Sequence, residues 1–239
     1  MTAAIELHQG DCLEWLRTLP DNSVDLAILD PPYIFKSTTG GGAFGSNIRG
    51  QYHDDLAPLS RGLDIDVLAE VLRVMKATNL YIWGNWKAIT QYLLAFQGCN
   101  TNLLSWHKSN PVPMCANKYL TDTEYCLFIR APGVKVRGGY EDHGTWWLTP
   151  LNVEDKKQYN HPTPKPVDII RRMIRNSSDP GDTVLDPFMG SGSTGHACVL
   201  EGRRFMGCEI EAGYFETAKA RIENAEQNTR RTLDGWGTN

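Results

Sequence analysis

No apolar run in the 239-residue chain approaches the ~20 residues needed to span a bilayer. The opening MTAAIELHQGD lacks the basic-then-apolar pattern of a secretion signal. The six cysteines (Cys12, Cys99, Cys115, Cys126, Cys198 and Cys208) form no C-x-x-C pair and no Cys/His cluster at ligand spacing. That argues against a zinc site or a disulfide framework, and for reduced thiols in a cytoplasmic protein with no metal and no membrane contact. Internal repeats and low-complexity tracts are also missing, which excludes solenoids and linker-dominated chains. Positive charge is not in excess either: the net charge is −4, so bulk charge alone does not mark a nucleic-acid binder.

The charge is unevenly distributed, however. Residues 1–36 hold two basic and six acidic groups, residues 101–140 five basic and two acidic, and residues 155–176 six basic and two acidic. A basic middle on an acidic chain can follow a phosphate backbone, although a solvated mixed-charge surface fits the same counts.

Short apolar runs rich in β-formers predict strands at AIELH, VDLAILD, NLYIWGN, NLLSWHK, EYCLFIR, TVLDPF and RFMGCEI. Helical spacing places Ile65, Leu68, Val71, Leu72 and Met75 on one face, and Ile169, Ile170, Met173 and Ile174 on another. A last helix is predicted over roughly residues 212–230. Alternating strands and helices indicate an α/β fold built on a mostly parallel, twisted sheet in a single domain, 1–239. Residues 102–130 contain no helix between their two strands, which predicts a terminal antiparallel hairpin. Residues 34–56, rich in Gly, Ser and Thr, read as a long flexible loop. Residues 131–160 mix aromatics with Lys and Arg, as a small recognition insert or a satellite core would.

Two motifs carry chemistry. TVLDPFMGSGSTG (183–195) sets a strand before a glycine turn and a helix. Glycines 190, 192 and 195 satisfy G-x-G-x-x-G, and Glu209 ends the next strand about twenty residues on. That pattern predicts a nucleoside-containing cofactor, either a nicotinamide dinucleotide or S-adenosylmethionine. The second motif, ILDPPY (28–33), decides between them. Two prolines offer no backbone donors, so the strand must stop there. Asp30 and the Pro31 and Pro32 carbonyls are acceptors, and Tyr33 offers a flat face. Together they suit a planar substrate bearing an exocyclic amino group, its nitrogen lone pair turned toward an electrophilic methyl.

These residues resemble the amino-group DNA methyltransferases, which methylate adenine N6 or cytosine N4. The resemblance covers nearly the whole chain. It takes in GDCLEWLRTLPDNSVDLAILDPPY (10–33), LYIWGN (80–85), SWHKSNPVPMCANKYLTDTEYCLFIR (105–130), HPTPKP (161–166), LDPFMGSGSTG (185–195) and FMGCEIEAGYFETAKARI (205–222). The order, catalytic motif before cofactor loop, resembles the β group of that family. The resemblance implies a Rossmann-like S-adenosylmethionine-dependent methyltransferase fold acting on double-stranded DNA by base flipping, with direct in-line transfer. It implies catalytic roles for Asp30, Pro31, Pro32 and Tyr33. Cofactor contacts are implied for Asp11, Lys165, Asp186, Phe188, Gly190, Gly192 and Glu209. Lys108, Lys118 and Lys156 are the candidate phosphate partners. Asp at the head of the catalytic motif favours adenine over cytosine. The family resemblance is compatible with a homodimer and leaves any restriction partner unassigned. The chain departs from the family pattern at Pro164, where Gln is usual, and in its lack of Pro-Gly-Gly before LYIWGN. No Pro-Cys dipeptide serves the cysteine chemistry of ring-carbon methylation. A nicotinamide oxidoreductase would leave ILDPPY unexplained.

Overall fold

The computed structural model describes residues 4–31, 65–113, 119–159 and 161–235. The loop expected at 34–56 lies outside the described residues. Eight described strands form one sheet: β1 (Ile5–Gln9), β2 (Leu26–Leu29), β3 (Asn79–Gly84), β4 (Asn100–Lys108), β5 (Thr123–Arg130), β6 (Trp146–Thr149), β7 (Thr183–Asp186) and β8 (Arg204–Glu209). Their order is β1-β8-β7-β2-β3-β5-β4-β6, and the first five run parallel.

Residues of β2, β3 and β7 are buried along their whole length, which explains their continuous apolar runs: a central parallel strand is covered on both faces. Alternate residues divide between two cores. Ala27, Leu29, Leu80 and Ile82 face one, against α1 (Cys12–Leu16), α2 (Ile65–Val74) and α3 (Trp86–Ala95). Leu26, Ile28, Tyr81 and Trp83 face the other, against α5 (Val167–Ser177), α6 (Ser193–Glu201) and α7 (Ala212–Gly235). The apolar stripe on α2 ends in Val71 and Val74, both fully buried, so a charge at either would be left without solvent or partner. Among the described residues, no helix is long and apolar enough to cross a membrane.

The antiparallel hairpin forms as expected from β4 and β5, with Leu103 opposite Leu127. It is not the end of the sheet. Strand β6, from the 131–160 segment, pairs in parallel with β4 and takes the edge, with Trp106 opposite Trp147. That segment also carries a 3₁₀ turn, Tyr140–His143, and the short helix α4 (Val153–Gln158).

The topology fixes where a ligand can enter. From β7 the chain passes through α6 to β8 on one side; from β2 it passes through α2 to β3 on the other. Strands β2 and β7 are hydrogen-bonded neighbours, so the sheet's connections diverge between them. A crevice opens at such a switch point, beyond the carboxyl ends of the strands. Asp30 directly follows β2, and Asp186 ends β7.

Candidate active site

Asp186 builds the glycine turn. Its Oδ1 accepts from the Phe188 amide at 3.0 Å and its Oδ2 from the Thr194 hydroxyl at 2.5 Å. The side chain is only 3% exposed, and burial pushes its pKa up to about 7. Asp186 therefore shapes the loop from beneath. Gly190 and Gly192 both adopt positive φ, +51° and +78°. A Cβ on Gly192 would lie 2.9 Å from the Ala218 Cα, and one on Gly195 would overlap Ile222, so these two glycines let α6 approach α7. Gly190 differs: a Cβ there would lie 2.9 Å from His161 Nε2.

Glu209, at the end of β8, accepts from the Gly190 amide at 2.9 Å and the Glu211 amide at 2.9 Å. Burial raises its pKa, against the pull of those backbone donors. Asp11 sits at the end of the neighbouring strand, where Gln9 pairs with Glu209. Its Oδ1 caps α1, accepting from the Leu13 and Glu14 amides at 2.9 and 3.0 Å. Two carboxylates beside a glycine turn are a donor-seeking set. They fit the hydroxyls and amino group of an adenosine.

Across the switch point, Asp30 accepts from the Lys165 ammonium, Nζ to Oδ2 at 2.5 Å. Lys165 is 6% exposed, lies 5.1 Å above the Trp83 ring, and reaches Glu124 at 3.3 Å. Burial opposes its charge, but Asp30 and Glu124 outweigh this and hold the ammonium above its ordinary pKa. Lys165, expected as a cofactor contact, is thus placed against the Asp30 carboxylate. Pro31 is buried; Pro32 and Tyr33 lie outside the described residues.

The phosphate candidates separate. Lys108 is 14% exposed, pairs with Glu124 at 2.7 Å, and lies 5.3 Å over the Trp106 ring, so its charge is matched within the protein. Local charge counts cannot distinguish such a paired lysine from a solvated one. Lys156 lies half-buried on α4, and Lys118 falls outside the described residues.

Sequence reasoning singled out neither His161 nor Arg221. His161 packs edge-on against Tyr214, ring centroids 4.7 Å apart, and its Nδ1 accepts from the Thr163 amide at 3.3 Å. Burial, then the charges of Lys165 and Arg221, push its pKa down to about 4, so the ring is neutral, with its proton assigned to Nε2 beside Gly190. Arg221, from α7, is 3% exposed. It donates to Ser193 Oγ at 3.0 Å and to Asp155 at 2.6 Å, and stacks 4.0 Å from the Tyr159 ring. It ties the glycine turn to α4. The HPTPKP motif contains His161, whereas nothing local distinguishes Arg221 from any helical arginine.

Residues 24–220 match the N6/N4 methyltransferase family model, described as DNA methylase. The type II methyltransferase M2.MboI of Moraxella bovis is 29% identical over 239 residues, covering 90% of this chain and 86% of that one. The crystal structure of the M1.HpyAVI–SAM complex superposes with a TM-score of 0.66 at 26% identity, covering 91% of this chain and 98% of that one. The cytosine-N4-specific PvuII DNA methyltransferase shares the fold, with a TM-score of 0.67 at 16% identity over 98% of this chain and 94% of that one. A carboxylate at the switch point, a glycine turn beside it and a family match spanning both lead to one conclusion: the chain belongs to the N6/N4 family of S-adenosylmethionine-dependent DNA methylases.

Proposed function

We propose that this enzyme methylates the exocyclic N6 of adenine in double-stranded DNA. The observation that carries the reading is Asp30, an acceptor fixed at the mouth of the switch-point crevice and paired with Lys165. An amino group is unreachable inside the base stack, so the adenine is extruded into the crevice. Asp30 and the Pro31 carbonyl accept its two amino hydrogens, and Tyr33 supplies the stacking face. That geometry turns the nitrogen lone pair outward, away from the acceptors. When bound, S-adenosylmethionine supplies a methyl on a positively charged sulfur, which leaves as a neutral thioether. The nitrogen pair forms the new N–C bond as the C–S pair returns to sulfur, and one proton leaves the nitrogen along the Asp30 hydrogen bond to solvent. Positioning provides most of the acceleration, because the donor is already activated. Asp11, Glu209 and the 188–192 backbone hold the cofactor, and Lys118 and Lys156 contact the DNA backbone.

A cytosine-N4 enzyme has the same fold, so fold does not choose the base. The Asp that heads the motif favours adenine. Unmethylated plasmid DNA treated with the enzyme and labelled cofactor should yield N6-methyladenine at a fixed sequence when modified bases are mapped. N4-methylcytosine at that site would overturn the assignment.

A further inference from the structure

Lys165 serves two carboxylates. Asp30 lies at the catalytic mouth, 2.5 Å from the ammonium, and Glu124 lies behind it at 3.3 Å. Glu124 in turn holds Lys108 at 2.7 Å, giving a chain of two positive and two negative groups. It is built into the fold. Glu124 on β5 stands opposite Trp106 on β4, Lys108 follows two residues along β4, and Lys165 rests on Trp83 of β3. Glu124 and Lys108 are only 17% and 14% exposed, so this is no ordinary surface pair.

We propose that Glu124 is a positioning residue for methyl transfer: by sharing Lys165 with Asp30, it keeps that carboxylate oriented while leaving it able to accept from the target amino group. A lysine committed wholly to Asp30 would close the pair and compete with the amino hydrogens. A lysine drawn wholly to Glu124 would leave Asp30 unanchored at the crevice mouth. Lys108 sets the balance by holding Glu124 from the other side. Burial raises the Glu124 pKa, but Lys165 and Lys108 outweigh it, and the side chain stays ionised. The inference rests on Asp30 being the amino-group acceptor.

The test uses the full chain, unmethylated DNA and S-adenosylmethionine. In Glu124→Gln, the single-turnover transfer rate should fall about tenfold while cofactor affinity stays within about twofold. The acid limb of the rate profile should also move to lower pH, because Asp30 loses a neighbouring negative charge. Lys165, Tyr92, Cys126 and Asp186, each coupled electrostatically to Asp30, are all retained in this variant. Pairing Glu124→Gln with Lys108→Met restores charge balance, so the double variant should recover thermal stability but not rate. Wild-type rate in Glu124→Gln would overturn the proposal, as would rate recovering with stability in the double variant or a tenfold loss of cofactor affinity. Asp30→Ala run alongside separates the two claims: wild-type transfer in that variant would sink the reading of Asp30 itself.

Discussion

Asp186→Asn probes how the cofactor turn is built. The Asp186 carboxyl is buried under the loop, and burial raises its pKa from 3.8 to about 7. Hydrogen bonds from Thr194 and Phe188 oppose that rise, and the charges of Asp30 and Glu209 add to it. Because the folded-state value lies above the unfolded one, the folded chain retains a proton that the unfolded chain releases. The resulting stability is full below pH 3.8, falls as pH rises, and is gone above about pH 7. Between pH 5 and 8 this amounts to about 2–3 kcal/mol. Asparagine carries no charge at either pH. Its carbonyl can still accept from Phe188, and its amide can donate to the Thr194 hydroxyl. Relative to wild type, the variant should therefore gain about 2–3 kcal/mol on going from pH 5 to pH 8, roughly 5–10 °C in Tm for a domain of this size. Circular-dichroism melts of both proteins across that range give the comparison. A difference in Tm that stays constant with pH, or that favours the variant more in acid, would refute the reasoning.

Other expectations follow from neighbouring contacts. Gly192→Ala should destabilise the protein by about 2–4 kcal/mol in denaturant melts, since a Cβ would lie 2.9 Å from Ala218 Cα at a φ of +78°. Glu209→Ala should weaken S-adenosylmethionine binding at least tenfold by calorimetry, because it removes both the acceptor and the anchor of the Gly190 amide. Asp155→Ala should cost about 3 kcal/mol of stability, read in the same melts, by leaving the buried Arg221 guanidinium without its carboxylate.

What could be read from the sequence followed burial and spacing. Strands β2, β3 and β7 stood out because strands covered on both faces are apolar without interruption. Helices α2 and α5 kept a clean stripe. Helix α3 did not, because Trp86 and Leu94 face solvent and blur its period. Strand β6 is four residues long with Trp146 and Leu148 exposed, and its strand character comes from pairing with β4, a contact no local pattern encodes. The site divides in the same way. Asp30 and the glycine turn are contiguous motifs with a mechanical reading. The Asp30–Lys165–Glu124–Lys108 chain joins four distant segments, and neither motif nor charge count reveals that Lys108 is already paired.

The most direct test of the central claim is single-turnover methylation by Asp30→Ala, measured alongside its affinity for S-adenosylmethionine. Lys165 keeps Glu124 as a partner in that variant, so the fold is expected to survive. The account predicts a loss of about 10²–10⁴-fold in transfer rate with cofactor binding nearly intact. Transfer within a few-fold of wild type would contradict it.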